Sequence, residues 1–367
     1  MKKNILLCGL ALVSLLGACN TNTSGNAEDL TKDNFYEGKD TEIIVPFGAG
    51  GGTDLFARFL APYFSENISG NPSVQVVNIP GGQTITGTNE FFYMSEHDGN
   101  KLLTSSASVH TPYLLGQSAV KYDLRDLEPI IGAPTGAVVY VSPQVGIETA
   151  ADLGNEEEQL VFAGISATGL DLVTLLSFEV LDLDVKSILG YEGRGPARVA
   201  FEQGESTIDF QTTSSYIQNI EPLVDNNEAI PLYSLGQINE EGELVRDPVF
   251  EDIPTVEEVY IEIHGEAPKG EAWEAYKAFV NSSYTIQKLI WTHGDAPQPA
   301  IDALHEAAEQ FASDPQFIEH GQEVLENYEP YTGEVLQTMI DNAFNTSPEV
   351  LNYVRNLLEE KYEVTID

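Results

Sequence analysis

Along most of this chain, short apolar runs rich in β-branched residues alternate with longer stretches whose apolar residues recur every three or four positions. The first kind reads as buried strand and the second as amphipathic helix. In order, the pattern predicts a strand over 42–47, a helix over 54–67, a strand over 74–78, a helix over 86–95 and a strand over 101–105. Further strands are expected over 138–142, 160–164, 186–189, 208–211 and 230–235, with helices over 170–181 and 196–203 among them. The C-terminal part turns mostly helical, over 299–313, 334–343 and 348–361. There Ile301, Leu304, Ala308 and Phe311 form one apolar stripe and Leu351, Val354 and Leu358 another, and both read as core faces. Strands and helices alternating in this way predict an α/β fold of mostly parallel sheets flanked by helices.

The N-terminus departs from the pattern. Lys2 and Lys3 precede an apolar run too short to cross a bilayer as an ordinary helix, and Leu16-Gly17-Ala18-Cys19 follows. Residues 1–18 therefore read as a signal peptide. The small residues ahead of Cys19 are similar to a bacterial lipobox, in which the cysteine thiol receives a diacylglyceryl group and becomes the mature N-terminus. At ~0.8 kcal/mol per buried methylene, two acyl chains make a stable anchor. The body is then expected outside the cytoplasm, on the periplasmic side or the cell surface, tied to a membrane by lipid only. Residues 19–40, rich in Thr, Asn, Gly and acids, read as a flexible tether with a reach of ~25 Å. About 325 residues remain, more than one core usually serves, so two domains are expected.

Charge and cysteine usage exclude several classes. With 58 acidic against 17 basic residues the net charge is −41, which rules against nucleic-acid phosphates as partners. Because 42% of residues are hydrophobic and only 20% charged, the chain folds nonetheless. An acidic, lysine-poor surface resembles proteins of salty surroundings, where a Debye length of ~3 Å at 1 M salt removes the self-repulsion. Of the two cysteines, Cys8 leaves with the signal and Cys19 is lipidated, so no disulfide or thiolate chemistry is left. The histidines His97, His110, His264, His293, His305 and His320 show no pair at helical ligand spacing, so no metal site is expected. The acids lack calcium-loop spacing, which speaks against a cation-binding protein.

The candidate chemistry lies at strand ends. After the first strand come Phe47, Gly48, Ala49, Gly50, Gly51 and Gly52, then Thr53 and Asp54 open a helix. A loop stripped of side chains lets backbone N–H groups and the positive end of the helix dipole face an anion. Thr53 or Asp54 is expected to cap the helix while the other faces ligand. A dinucleotide fingerprint fails because Thr53 stands where its third glycine belongs, and no P-loop lysine follows. A second bare turn, Asn78-Ile79-Pro80-Gly81-Gly82, follows the next strand, and a third runs from Gly164 through Ser166, Ala167 and Thr168 to Gly169. Ser166 as a nucleophile lacks the glycine two residues on, where Thr168 stands. In Tyr191-Glu192-Gly193-Arg194-Gly195-Pro196, Arg194 is either a surface ion pair or a ligand-facing or hinge residue, whereas Arg58 reads as a structural pair. Four such strand ends are consistent with a crevice that holds a carboxylate mainly by backbone amides.

The run VPFGAGGGTDLFAR, the Asn78–Gly82 turn, DGNKLL at 98–103, KYDLRDL at 121–127, the 164–169 turn, Tyr191-Glu192-Gly193, Gly204-Glu205 and Ile208-Asp209 occur in one order. Together with Ile253-Pro254-Thr255-Val256-Glu257-Glu258 and the helix at 296–314, they resemble the substrate-binding proteins of tripartite tricarboxylate transporters, the Bug family, over about 42–362. The resemblance implies a two-lobed, type II periplasmic-binding-protein fold: lobe 1 from 41–137 and 256–367, lobe 2 from 138–255. It implies one cleft wall made by Phe47, Gly48, Ala49, Gly50, Gly51, Thr53 and Asp54 with Gly81, Gly82 and Gln83. Ser106, Ser166, Ala167, Thr168, Gly169, Tyr191, Gly193, Thr212 and Thr213 would lie on or near the other side. Gly48 and Ala49 stand where the family often has prolines, Gln83 and Thr84 replace small residues, and 237–249 looks extended. These departures bear on which carboxylate fits.

The expected function is capture of a small carboxylate by a monomeric lipoprotein and its delivery to permease subunits, with no catalytic residue and no cofactor. An extracytoplasmic sensor feeding a receptor would use the same fold. A secreted hydrolase would need an acid, base and nucleophile set that the sequence does not assemble.

Overall fold

The computed structural model of the protein describes residues 30–94, 96–155 and 157–366. The expected signal peptide, Cys19 and the first part of the tether lie outside the described residues. In chain order the strands are β1 (Asp40–Val45), β2 (Ser73–Asn78), β3 (Lys101–Ser106), β4 (Leu127–Ala133), β5 (Ala137–Val141) and β6 (Leu160–Gly164). They continue with β7 (Val185–Leu189), β8 (Ile208–Thr212), β9 (Ile230–Ser234), β10 (Gln237–Ile238), β11 (Leu244–Val245) and β12 (Lys288–His293).

Two five-stranded sheets result, ordered β2-β1-β3-β12-β4 and β7-β6-β8-β5-β9. In the first, β1 pairs parallel with β2 and β3, while β12 runs antiparallel to both β3 and β4. In the second, β6 pairs parallel with β7 and β8, while β5 runs antiparallel to β8 and β9. Four strands of each sheet therefore share a direction, as the alternating pattern predicts. The exception in each is the strand the chain enters on crossing from the other sheet: β5 follows β4 directly, and β12 brings the chain back. β4 and β12 escape the sequence pattern, the first because Glu128 and Pro129 interrupt its apolar run.

The strands form where apolar side chains are covered on both faces. Ile43, Ile44 and Val45 of β1 and every residue of β5 are buried. The helix Gly52–Asn67 turns Phe56, Ala57, Leu60, Ala61 and Phe64 inward, and they share one core with Leu304, Ala308 and Phe311 of the helix Gln298–Ala312. Val354 and Leu358 are likewise fully buried, so both C-terminal stripes are core faces. The segment 237–249, expected as extended, folds into the small antiparallel β10-β11 ribbon. Among the described residues no helix is long and apolar enough to cross a membrane.

The C-terminal half of the expected tether is part of the body. Phe35 is 3% exposed and Tyr36 is fully buried, their rings meeting edge to face, and the Tyr36 hydroxyl donates to the Gly99 carbonyl at 2.6 Å. Residues 31–40 thus fail as a linker because two aromatic rings bury themselves beside β1, from a turn with no periodicity to reveal it. Tyr36→Phe is expected to keep the ring packing and to lower unfolding free energy by about 1 kcal/mol, since it leaves the Gly99 carbonyl without this donor. Urea unfolding checks this, and an unchanged midpoint counts against the bond.

Candidate functional site

Because β1, β2 and β3 are parallel, their C-terminal ends deliver Phe47, the Pro80–Gln83 turn and the start of the helix Ala107–Leu114 to one edge of the first sheet. The same logic brings 165–170 to the corresponding edge of the second.

The first loop is stapled from behind. Asp54 Oδ2 accepts from the Gly50 N–H at 2.8 Å and from Arg58 Nε at 2.9 Å, while Asn78 Nδ2 donates to Asp54 Oδ1 at 2.8 Å and to the Phe47 carbonyl at 3.1 Å. The Arg58 hydrogen bond, with those from Gly50 and Asn78, holds the Asp54 carboxyl down at about 2. Two sequence expectations change here. The helix begins at Gly52 with Gly51 as its cap residue and no side-chain cap, so neither Thr53 nor Asp54 caps it. The Asp54 side chain is 1% exposed and spent within the protein, so it shapes the loop instead of facing a ligand. Arg58 is the structural pair expected of it. The N–H groups of the first helical turn have no partner within their own helix and point out of its mouth, beside exposed Gly48, Ala49 and Gly50.

The second turn is strained. Gln83 and Thr84 adopt φ of 53° and 83°, a left-handed conformation that costs most for a β-branched residue such as threonine. It is held by Thr84 Oγ1 donating to the Ser108 carbonyl at 2.9 Å and by Thr88 Oγ1 donating to the Thr84 carbonyl at 3.0 Å. The result leaves the Gln83 side chain exposed at the sheet edge.

The third loop depends on a buried charge cluster. Asp171 Oδ2 accepts from the N–H groups of Ile165 and of Ser166, the latter at 3.2 Å, and Thr168 N–H donates to Ser166 Oγ at 3.2 Å. Most amides of this turn are therefore committed, and the groups it offers are the half-buried hydroxyls of Ser166 and Thr168, 3.0 Å apart. Asp171 is in turn approached by Arg194 at 3.5 Å, and Arg194 also pairs with Asp209 and donates to the carbonyls of Ala163 at 3.0 Å and Phe210 at 2.8 Å. Its guanidinium lies 4.0 Å over the Phe210 ring. Burial pushes the Asp171 and Asp209 carboxyls upward, and the Arg194 charge opposes that push. Arg194 is thus neither a surface ion pair nor ligand-facing. It is a tie between β6, β8 and the third loop.

These elements enclose a cavity of about 320 Å³, lined by Phe47, Gln83, Thr84, Ser108, Pro112 and Gln117 from the first sheet's side. Ile165, Ser166, Thr168, Gly169, Leu170 and Asp171 line the other. It is the size of a small-metabolite site. No lysine or arginine lines it, so an anion there would meet hydroxyls, amides and helix N-termini. Of the sequence-expected residues, the cavity brings together Phe47, Gln83, Ser166, Thr168 and Gly169.

Others lie elsewhere. Ala167 belongs to the core, and Ser106 is 4% exposed at the start of its helix. Tyr191 packs on Ala163, Ala197 and Ala200; Gly193 and Thr212 precede helices outside the cavity lining. Thr213 is fully buried at the chain crossing, where its Oγ1 accepts from the Gly136 N–H at 3.0 Å and lies 2.8 Å from the Tyr328 hydroxyl, which also donates to Asp247. A Cβ on Gly136 would meet Asp247 Oδ2 at 1.9 Å, so only glycine fits that crossing. The other lining residues were missed by sequence reasoning: Thr84, Ser108, Ile165, Leu170 and Asp171 each stand within two residues of an expected one, whereas Pro112 and Gln117 do not.

The hydrolase alternative finds no support at Ser166, whose hydroxyl partner is Thr168. A serine–histidine pair does occur at Ser105 and His110, 2.7 Å apart, but both are fully buried. His110 Nδ1 donates to the Ser282 carbonyl, so its Nε2 accepts from Ser105 Oγ, which in turn accepts from Trp291 Nε1 at 2.6 Å. Burial lowers His110 to about 4, and the pair is a core device.

With this architecture the chain is an α/β protein of the two-lobed periplasmic-binding-protein fold. No family model matches it. In sequence it is similar to Protein BugT of Bordetella pertussis, 29% identical over 209 residues, 54% of this chain and 62% of that protein. The match therefore spans less than two thirds of that relative's length. In structure it is similar to a TctC solute binding protein from Polaromonas, with TM-score 0.61, 16% identity, and 87% of this chain and 99% of the other covered. It is also similar to an R. palustris protein solved with adipate, with TM-score 0.58, 16% identity, and 86% and 97% covered. The resemblance to the Bug-type substrate-binding proteins of tripartite tricarboxylate transporters, read from ordered motifs, holds in sequence and in fold.

Proposed function

We propose that this protein is an extracytoplasmic solute-binding lipoprotein that captures a small carboxylate between its two sheets, leaves it chemically unchanged and presents it to a tripartite tricarboxylate-type permease. The carrying observation is the cavity shared by strand-end loops of both sheets, lined by neutral donors, by Phe47, Pro112, Ile165 and Leu170, and by Asp171, whose Oδ2 is taken up by the Ile165 and Ser166 amides. Adipate in a protein of the same fold supports a carboxylate as the ligand class. In this reading lobe 1 (41–137 and 256–367) and lobe 2 (138–255) rotate together on the ligand as a monomer, and the drier closed site strengthens each hydrogen bond. Cys19 carries the lipid, and Gly48–Gly51 with Gly81 and Gly82 extend the anion-facing wall beyond the cavity.

A thermal-shift screen of citrate-like, dicarboxylic, amino and aromatic acids in molar salt tests this. One class is expected to stabilise the protein by about 2.7 kcal/mol at a hundredfold excess over its dissociation constant. Indifference to every acid, or turnover of one, overturns the reading.

A further inference from the structure

At the opposite edge of the first sheet, where β12 ends, His97 from far earlier in the chain meets His293 and Asp295, two residues apart. His97, His293 and Asp295 each offer a ligand atom within 4.8 Å of the others. His293 is 2% exposed and rigidly held: its ring stacks on Phe91 at 4.3 Å and 6° on one face and on His97 at 3.7 Å and 13° on the other. Its ring also bonds the Phe91 backbone, which leaves Nε2 buried with no hydrogen-bond partner. Such an imidazole, one nitrogen tied to a backbone carbonyl and the other bare, is how proteins fix the tautomer and aim of a metal ligand. An unpartnered buried nitrogen costs free energy unless something meets it.

The neighbours can supply what is missing. His97 is 40% exposed and Asp295 72% exposed, and His97 Nδ1 contacts Asp295 Oδ1 at 2.7 Å. Both lie toward the surface, and the Phe91 stack on the far face of the His293 ring depends on neither. Asp98, a nearby acid, is engaged with Asn100.

We propose that His97, His293 and Asp295 form a binding site for a zinc-class divalent transition metal, with a fourth position open to water. Two imidazoles and one carboxylate suit zinc, cobalt or nickel and not calcium or magnesium, which demand oxygen ligands. His97 leaves its stack to present a nitrogen alongside His293 Nε2, and the ion links the loop before β3 to the loop after β12. The site lies on the edge away from the cavity and does not depend on the carboxylate reading.

Cobalt(II) added to the metal-free full chain in molar salt is expected to give a visible ligand-field absorption that saturates at one equivalent and is displaced by zinc. His97→Ala and Asp295→Ala, both at exposed positions, are expected to weaken cobalt binding ~10-fold or more. His293→Gln abolishes it, with circular dichroism reporting on its folding. Both exposed variants keep any carboxylate-induced thermal shift. Absence of the absorption, an unsaturable response shared with magnesium as an acidic surface would give, or identical binding by His97→Ala overturns the site.

Discussion

Arg194→Ala is expected to lower the unfolding free energy by about 3–5 kcal/mol, the usual cost of removing one partner from a buried ion cluster. The Arg194 side chain is only 12% exposed, and its loss strands the Asp171 and Asp209 carboxylates, 1% and 0% exposed, with no other cation paired to them among the described residues. The fall has a second consequence, because Asp171 also positions the Ile165 and Ser166 amides that shape one cavity wall. Whatever ligand the cavity takes should therefore bind more weakly to this variant even below its unfolding range. Adding Asp171→Asn and Asp209→Asn to Arg194→Ala removes the stranded charges, and this triple variant is expected to recover part of the stability. Urea unfolding of the three proteins decides the matter. A single variant within ~1 kcal/mol of the parent would mean that the cluster is not desolvated as described.

Gly169→Trp is expected to abolish carboxylate-induced stabilisation, removing most of the ~2.7 kcal/mol seen at a hundredfold excess of ligand. Stability without ligand should change by no more than ~0.5 kcal/mol, as for an ordinary surface substitution. The local geometry permits both halves of this outcome. A Cβ at Gly169 meets only the Ser166 carbonyl, 4.0 Å away, and φ there lies outside the left-handed region, so the backbone admits a side chain. The indole then occupies the cavity between Ser166, Thr168 and Phe47. Gly51→Trp is the companion, since Gly51 has room for a Cβ at the mouth of the first helix. If Gly169→Trp retains the full shift, the ligand lies elsewhere. If only Gly51→Trp retains it, the cavity holds the ligand without the first loop.

Much of the site was legible because strand ends in α/β sheets announce themselves. An apolar run followed by small residues and a helical stripe locates the loops that bring Phe47, Gln83, Ser166, Thr168 and Gly169 to the cavity. The reading failed where a residue's role depends on distant partners. Asp54 at a helix start is a reasonable cap by local rules, yet Arg58 and Asn78 draw it behind the loop. Thr212-Thr213 looks like another strand-end donor pair, yet Tyr328, from far along the chain, meets the Thr213 hydroxyl. Phe35 and Tyr36 lie in a segment of tether-like composition, and only the pocket beside Gly99 makes them core.

The sequence by itself determined the α/β class, the common direction of most strands, the core stripes of the C-terminal helices and the small-residue loops, because each follows from periodicity and backbone freedom within a few residues. Tertiary structure alone decided that Arg194 is a buried tie, that Asp171 and Ser166 take up the amides of the third loop, and that His97 meets His293. Those outcomes depend on which charges and lone pairs are desolvated together, and desolvation is a property of neighbours in space that no local spacing along the chain encodes.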